Sequence, residues 1–338
     1  MALVARGGEV IYQGVGGYLD PERALPMRED ALFRIYSMTK PWVSALALTF
    51  VEEGALEALR RPLTVYDLLR HTAGFTYGVF FRSPVKRLYL EAGVDRFDLS
   101  REEFLGHLAA LPLRFQPGAA FEYGLSTDVL GHLLEVLSGK SLAELLEERV
   151  FASLGMRDSG FLARDPTRLA KPFPQDPETG RSIRLIPVEA EPPRYAGGLG
   201  GVSTAWDYLR FLEALRTGRG VLHPSLCRLM THDHLGPLYE AGLRRGLEYT
   251  PGPGYGFGLG VAVRLGHGGL APGSPGDFYW WGFAGTYFLV DPPLELSALL
   301  FTQAPNLLSV LEPEKALHSR LGQRLGLAFR TLVYGALS

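Results

Sequence analysis

The chain has 338 residues, of which 46% are hydrophobic and 21% charged, and its formal net charge is -2. This composition is typical of a globular protein with one large domain or two closely packed subdomains. The lack of a polybasic block argues against nucleic acids and anionic membranes as partners, and no apolar run approaches the ~20 residues of a membrane span. No secretory signal is recognisable after Met1, and the single cysteine, Cys227, excludes an intrachain disulfide, so a cytoplasmic location is expected.

The first third of the chain predicts a β-hairpin followed by a buried helix. Residues 2–6 and 9–18 flank the glycine-containing turn Arg6-Gly7-Gly8-Glu9. After a polar loop, a nearly unbroken apolar segment opens at Ser37. Pro41 lies in what would be the first turn of this segment, where a missing N–H is tolerated. Ser37 is therefore expected at the N-terminal end of a largely buried helix.

The middle of the chain is predicted to be mostly helical. Ser100 and Glu103 fit a capping box, in which each side chain bonds the other residue's backbone N–H at a helix start. Residues 164–196 are rich in Pro, Asp and Arg and are expected to form a long irregular excursion, a type of segment that is often functional. The glycine-rich stretch 197–204 matches neither nucleotide-binding glycine pattern and is interpreted as a tightly packed turn. Helices are predicted over residues 129–137, 142–150 and 205–215.

The last third of the chain is predicted to contain strands. They are expected over residues 255–263, 282–290 and 295–302, with a turn at 291–293 between the last two. Residues 314–334 predict a closing amphipathic helix, with Gly335 just past its end. Because strands occur at both ends of the chain and helices lie between them, the termini are expected to meet in one sheet. This arrangement indicates an α/β (α+β) fold class.

Ser37 and Lys40 form the most suggestive pair of reactive side chains. They are three residues apart, so on a helix their side chains would touch. A serine hydroxyl needs a base within hydrogen-bond reach, and a lysine can be that base when burial lowers its pKa. A Ser-x-x-Lys tetrapeptide alone is weak evidence, and Ser83-Pro84-Val85-Lys86 has the same spacing without a long apolar segment after it. The buried context is what favours Ser37 over Ser83.

Other candidate sites are interpreted as structural. His71 is expected to bond a carbonyl at a helix terminus. The sequence His232-Asp233-His234 has no third ligand nearby, so a loop is favoured over a metal site. Cys227 is interpreted as a small core or surface residue. No metal and no cofactor is predicted, and the absence of a Gly-x-Ser-x-Gly sequence argues against the nucleophile elbow of α/β-hydrolases.

Several stretches together resemble the serine β-lactamase-like hydrolases of the Ser-x-x-Lys type, in the branch of class C β-lactamases and family VIII esterases. The stretches occur in that family's order and are residues 33–40, 67–74, 123–125, 197–204 and 281–286. The resemblance implies a β-lactamase/transpeptidase-like fold with an antiparallel sheet flanked by helices. It also implies one family domain over 1–338, with a sheet subdomain (1–36 and 250–338) and a mostly helical subdomain (37–249).

The resemblance further implies roles for individual residues. Ser37 would be the nucleophile, Lys40 its base, and Tyr123 the proton relay to the leaving group. The backbone N–H groups of Ser37 and Ala284 would form the oxyanion hole. Trp281-Gly282-Phe283 matches the family's third motif and would border the substrate cleft, whereas the rival His267-Gly268-Gly269 precedes a Pro/Gly-rich stretch and is interpreted as a loop.

Departures from the family pattern bear on the substrate. Trp281 stands where β-lactamases carry a lysine that binds the β-lactam carboxylate, so neutral ester substrates are favoured. Phe283 replaces a usual glycine, and the segment between Gly54 and Pro62 is shorter than in relatives. The expected function is hydrolysis of short-chain carboxylic esters, with a small-molecule ester or amide as substrate. A β-lactamase, a D-amino-acid peptidase, or a binding or degenerate homologue without turnover remain alternatives. The oligomeric state is open, with a monomer favoured.

Overall fold

The computed structural model describes residues 1–52, 63–79, 83–177, 179–238, 254–266, 271–305 and 323–337, and the statements below concern these ranges. The shortened segment between Gly54 and Pro62 and the rival motif His267-Gly268-Gly269 lie outside them. The predicted division into two subdomains also remains a prediction. Within the described ranges, no helix combines the length and apolarity that crossing a bilayer requires.

One antiparallel sheet joins the two ends of the chain. Its seven strands, among the described residues, run in the order β2-β1-β11-β10-β9-β8-β7. β1 pairs with β11, with Val4 opposite Ala298, so the prediction that the termini meet in one sheet is confirmed. The strands are β1 (Ala2–Arg6), β2 (Glu9–Gly14), β7 (Tyr255–Phe257), β8 (Ala262–Arg264), β9 (Phe278–Trp281), β10 (Tyr287–Asp291) and β11 (Leu296–Leu300).

Two small strand pairs lie outside the main sheet. β3 (Tyr18–Asp20) pairs with β4 (Leu25–Pro26). β5 (Phe33–Arg34) pairs antiparallel with β6 (Val202–Ser203), with Phe33 opposite Ser203. The second pair ties the segment just before Ser37 to the end of the glycine-rich stretch. The interpretation of that stretch as a tightly packed turn is confirmed, because a Cβ on Gly201 would lie 2.7 Å from Thr39 Oγ1 and 2.9 Å from the ring of Trp42.

The helix that follows Ser37 lies at the centre of the molecule. Every described side chain of α1 from Thr39 to Phe50 is buried, and the helix contacts α5 and α6. Trp42 packs its ring edge on Phe151 and its face near Tyr208. The helices are α1 (Thr39–Glu52), α2 (Val65–Leu69), α3 (Pro84–Glu91), α4 (Arg101–Ala109), α5 (Ser126–Ser138), α6 (Leu142–Leu146), α7 (Ala152–Leu154), α8 (Ala205–Thr217), α9 (Pro224–Met230) and α10 (Gln323–Leu337).

Two helices cover opposite faces of the sheet. Neighbouring residues of a strand point to opposite faces, and in β10 Phe288 packs on Tyr208 of α8 whereas Tyr287 packs on Phe329 of α10. The central strand β10 is therefore buried on both sides, which explains why four of its five residues are hydrophobic. α8 also contacts the turn that precedes α1, since Tyr208 donates its hydroxyl to Met38 O at 2.7 Å.

The strand predictions in the last third were partly wrong. Residues 255–263 do not form one strand, because the chain reverses between β7 and β8 at Gly260, whose φ of +92° is readily adopted only by glycine. β9 was not predicted. The expected strand 282–290 begins only at Tyr287, because residues 282–286 form the turn from β9, while the strand over 295–302 is confirmed as β11. A 3₁₀ turn at Pro292–Leu294 connects the last two strands as expected.

The helix predictions were more accurate, with errors at the ends. The capping box of Ser100 and Glu103 is present at the start of α4. The helix expected over 142–150 ends as an α-helix at Leu146 and continues as a π-helical turn, Glu147–Phe151. The closing helix is described from Gln323 and extends to Leu337, so Gly335 lies inside it and not past its end. Its predicted first part, 314–322, lies outside the described residues.

Candidate active site

Ser37 lies in a tight turn immediately before α1. Tyr36–Met38 form a 3₁₀ turn, and Tyr36 has φ +45°, a conformation that non-glycine residues rarely adopt. The surroundings hold this turn in place, because Thr39 Oγ1 donates to Tyr36 O at 2.6 Å and accepts from Gly201 N at 2.9 Å. The Tyr36 hydroxyl also accepts from the backbone N–H of Ile186 at 2.9 Å. Ser37 is therefore presented from a constrained backbone, a feature often seen at functional sites.

Lys40 places its amino group beside the Ser37 hydroxyl. Its Nζ lies 3.4 Å from Ser37 Oγ, 3.0 Å from the Tyr77 hydroxyl and 2.5 Å from Gly198 O. Burial lowers the pKa of Lys40 to about 7, and the negative charge of Asp128 partly opposes this shift. Near neutral pH a large fraction of this amine is therefore uncharged and able to accept a proton.

Two tyrosines flank the amino group of Lys40. Nζ lies over the ring of Tyr123, 4.7 Å from its centroid, and the Tyr123 hydroxyl accepts the indole N–H of Trp280 at 3.0 Å. The Tyr77 hydroxyl is hydrogen-bonded to Lys40, and this residue was not predicted from the sequence as part of the site. Tyr77 follows the family-like stretch 67–74 by only three residues, so extending that stretch would have included it.

His71 supports the ring of Tyr123. It is fully buried, and its ring lies 4.8 Å from that of Tyr123. Its Nδ1 accepts the backbone N–H of Gly124 at 3.3 Å, so the expected bond to a carbonyl was wrong. Burial, with a contribution from the charge of Lys40, lowers the pKa of His71 well below its usual value, so the ring is neutral at physiological pH.

A buried carboxylate lies behind Lys40. Asp128 is fully buried and forms an ion pair with Arg194, with a distance of 3.4 Å between Asp128 Oδ1 and Arg194 Nη1. A Cβ on Gly198 would overlap Asp128 Oδ2 and lie 3.2 Å from Lys40 Nζ. Because Gly198 has no side chain, the Asp128 carboxylate, the Gly198 carbonyl and the Lys40 amine can approach one another. Asp128 was missed from the sequence because only the folded chain brings it to this position.

The turn from β9 to β10 packs against the segment before Ser37. Gly282 N donates to Thr286 O at 2.8 Å, and Thr286 Oγ1 donates to Ile35 O at 3.3 Å. A Cβ on Gly282 would overlap Ile35 O, so only glycine permits this approach. Ala284 is buried in one small apolar cluster with Tyr36. The structure therefore brings together the two segments whose N–H groups are predicted to form the oxyanion hole.

Two of the three predicted cleft residues, Trp281 and Phe283, are aromatic and partly buried. Trp281 stacks on Trp280, with 4.3 Å between ring centroids, and Phe283 contacts the ring of Tyr36 at 5.6 Å. Leu185 and Leu199 pack against the same small cluster as Phe283. The surroundings of the turn at Ser37 are thus largely apolar, and Leu185 shows that the irregular excursion over 164–196 contributes to them.

Asp233 and His234, which were considered as metal ligands, form hydrogen bonds to other residues of the protein. Asp233 accepts the backbone N–H groups of Leu235 and Phe257 at 3.1 and 3.0 Å. His234 bonds the Tyr66 hydroxyl through Nδ1 at 2.8 Å. Over the ranges that the structure covers, no group of three His, Cys, Asp or Glu side chains is placed to hold a metal ion.

Comparisons with known proteins show the family and the fold of the chain. The sequence model of the family described as Beta-lactamase matches residues 1–318. The chain belongs to the β-lactamase family. It is 36% identical over 344 residues to esterase EstB of Burkholderia gladioli, with 89% of this chain and 85% of that protein covered. Membership confirms the resemblance inferred from the motifs and makes the protein a serine hydrolase of this family.

Solved structures show the same fold in relatives. EstCE1, described as a hydrolase with promiscuous acyltransferase activity, is similar with a TM-score of 0.76 at 30% identity, covering 94% of this chain and 93% of that one. The LovD6 mutant of simvastatin synthase from Aspergillus terreus has a TM-score of 0.77 at 24% identity, covering 99% of this chain and 90% of that one. The predicted β-lactamase/transpeptidase-like fold is therefore confirmed.

Proposed function

We propose that this protein hydrolyses short-chain carboxylic esters through an acyl-enzyme on Ser37. The observation that carries the proposal is the contact between Ser37 and Lys40, whose Nζ lies 3.4 Å from Ser37 Oγ. Because burial lowers the pKa of Lys40 to about 7, this amine can accept the serine proton near neutral pH. The name of EstB, an esterase, supports the ester class, and the description of EstCE1 as a hydrolase supports hydrolysis.

In the acylation step, Ser37 Oγ bonds to the ester carbonyl carbon as its proton passes to Lys40 Nζ. The negative charge that develops on the carbonyl oxygen would be stabilised by the N–H groups of Ser37 and Ala284. The bond to the alcohol oxygen then breaks, and the alcohol leaves with a proton supplied through Lys40 and Tyr123. Water attacks the acyl-enzyme with the same groups acting in reverse, which releases the acid and restores Ser37.

Two phenols lie close enough to Lys40 to pass the proton to the alcohol. Tyr123 is proposed because its ring lies against Lys40 and its hydroxyl is oriented by the indole N–H that it accepts from Trp280. Tyr77 is the second candidate, because its hydroxyl is hydrogen-bonded to Lys40 at 3.0 Å. Replacing each tyrosine by phenylalanine distinguishes the two roles.

The cleft favours an uncharged ester over a β-lactam. A β-lactam antibiotic carries a carboxylate that needs a cation, whereas Trp281 and Phe283 offer aromatic surface at the predicted binding edge. Lys40 is fully buried and engaged with Ser37, so it is not available as that cation. An apolar acyl or alcohol group would be removed from water when it packs against the same side chains, and this burial favours binding.

The test compares a short-chain chromogenic ester with a chromogenic cephalosporin, using wild type and Ser37→Ala. We expect ester turnover by the wild type, loss of at least about a thousandfold in the variant, and little cephalosporin cleavage. Cephalosporin cleavage faster than ester cleavage would favour the β-lactamase alternative. Absence of turnover on both substrates would refute the esterase proposal and favour a binding or degenerate role.

A further inference from the structure

A buried hydrogen bond links the two segments that carry the tyrosines around Lys40. Thr76 directly precedes Tyr77, and Glu122 directly precedes Tyr123. Thr76 Oγ1 donates to Glu122 Oε1 at 2.5 Å, and both side chains are buried. We propose that this link is a positioning device, which holds both phenols against Lys40 during catalysis. The inference rests on the proposed ester hydrolysis and adds Thr76, Glu122 and Lys86 to the residues that determine its rate.

The backbones of the two segments are in direct contact at this point. A Cβ on Gly124 would lie 2.5 Å from Phe75 O and 2.6 Å from Thr76 Cα. On its other side the Gly124 N–H is bound by His71 Nδ1, and Glu122 N donates to His71 O at 2.9 Å. The segments therefore have little freedom to slide past each other while the Thr76 hydroxyl holds Glu122. A shift of either segment would move a phenol relative to Lys40.

Lys86 and Arg114 hold Glu122 in place. Lys86 Nζ lies 3.1 Å from Glu122 Oε1, and the exposed fractions of the two side chains are only 2% and 1%. Arg114 Nε lies 3.5 Å from Glu122 Oε2. Ion pairs buried to this degree are costly to desolvate, and replacing them with apolar residues is often neutral or stabilising. A contribution to stability therefore does not explain why a charged pair occurs at this place. A role of the carboxylate in holding the two segments in position does explain it.

The geometry connects this link to the reaction through Tyr77. Its hydroxyl lies 3.0 Å from Lys40 Nζ, and its residue is joined by one peptide bond to Thr76. On the opposite side, Gly78 N donates to the partly buried carboxylate of Asp95 at 2.7 Å, which fixes the next peptide. A displacement of about 1 Å in catalytic groups can reduce rates about a hundredfold. Even partial loosening at Thr76 should therefore reduce the rate of acylation.

The test replaces Thr76 by valine, which has the same shape without the hydroxyl. We expect Thr76→Val to lower kcat for the chromogenic ester at least about tenfold with less than about a twofold change in KM, because binding surfaces remain in place. The rate at which a fluorophosphonate labels Ser37 should fall by a similar factor. Thr76→Ser keeps the donor and should rescue both rates. Thr49→Val is the matched control, a buried threonine whose hydroxyl bonds Leu46 O at 2.7 Å within α1, and should leave both rates unchanged.

A second variant removes Lys86 and Glu122 together, so that neither member of this ion pair is left buried without the other, while Arg114 keeps its hydrogen bond to Ser83 Oγ. Lys86→Met combined with Glu122→Leu should fold with a melting temperature near that of the wild type and lose kcat like Thr76→Val. Wild-type rates in Thr76→Val, or in a folded double variant, would overturn the inference while leaving the esterase proposal intact. If Ser37 in the wild type neither turns over the ester nor reacts with the fluorophosphonate, the proposed function fails, and the inference fails with it.

Discussion

Replacing Lys40 by methionine should change the pH dependence of stability as well as abolish turnover. The side chain is fully buried, and burial lowers its pKa from 10.5 to about 7. The unfolded chain therefore binds more protons at this site than the folded protein between pH 7 and 10.5, so the wild type gains stability as pH rises through this window. Methionine has nearly the same length and cannot be charged, so Lys40→Met removes this dependence.

The size of the effect follows from the pKa difference. One pKa unit corresponds to about 1.4 kcal/mol, so keeping Lys40 in the folded protein costs about 5 kcal/mol at pH 6 and about 2 kcal/mol at pH 9. The variant also loses the hydrogen bonds to Tyr77 and Gly198 O, a cost that does not depend on pH. Subtracting the free energy of unfolding of the wild type from that of the variant gives a difference that should be about 2 to 3 kcal/mol larger at pH 6 than at pH 9. Relative to the wild type, the variant is thus more stable at pH 6 than at pH 9.

Denaturant unfolding at pH 6 and pH 9 measures this difference. Ser37→Ala is the matched control, because it removes the proposed nucleophile and keeps Lys40, and its stability should follow the pH dependence of the wild type. Activity gives an independent reading, because ester hydrolysis by the wild type should rise with pH through about 7 as Lys40 loses its proton. An equal stability difference at both pH values, or a retained kcat in Lys40→Met, would refute the assignment of Lys40 as a base with a lowered pKa.

Three further predictions concern the surroundings of Lys40. Tyr123→Phe should lower kcat for esters with poor leaving groups more than for nitrophenyl esters, which steady-state kinetics with both ester types measures. If only Tyr77→Phe shows this selective loss, Tyr77 and not Tyr123 is the proton relay. Asp128→Asn removes a charge that opposes the shift in Lys40, so the pKa of Lys40 falls further and the acid limb of the pH–rate profile should move to lower pH, whereas a move to higher pH would contradict this electrostatic role. Phe283→Gly should widen the cleft and raise kcat/KM for longer acyl chains relative to acetate, measured over a series of nitrophenyl esters, and an unchanged chain-length preference would exclude Phe283 from the cleft.

Features that depend on neighbours along the chain were predictable from the sequence. Glycine-containing turns and the capping box at Ser100 depend on a few consecutive residues, and the structure confirms the hairpin around Gly7 and Gly8 and the start of α4. The spacing of Ser37 and Lys40 belongs to the same class, because one helical turn determines their proximity. The order of several such short motifs was sufficient to indicate the family.

Strand boundaries in the last third were not predictable in this way. Residues 255–263 are apolar with interspersed glycines, and such a run does not show where the chain reverses. The reversal at Gly260 is decided by pairing with β9, which fixes the register of β8 through Ala262 and Tyr279. Strand pairing depends on residues far apart in the sequence, so it was decided by the folded sheet.

The residues of the candidate site also fall into two groups, those predictable from the sequence and those brought together only by the fold. The sequence alone predicted Ser37 as nucleophile, Lys40 as its base and Tyr123 in register with them, because each belongs to a short motif. Only the tertiary structure brought Tyr77 and Asp128 to Lys40 and the Trp280 indole to Tyr123. The pKa of Lys40 was likewise decided by the fold, because burial against α5 and the glycine-rich turn removes water from the amine. A side chain's charge state depends on everything packed around it, and that information exists only when the chain is folded.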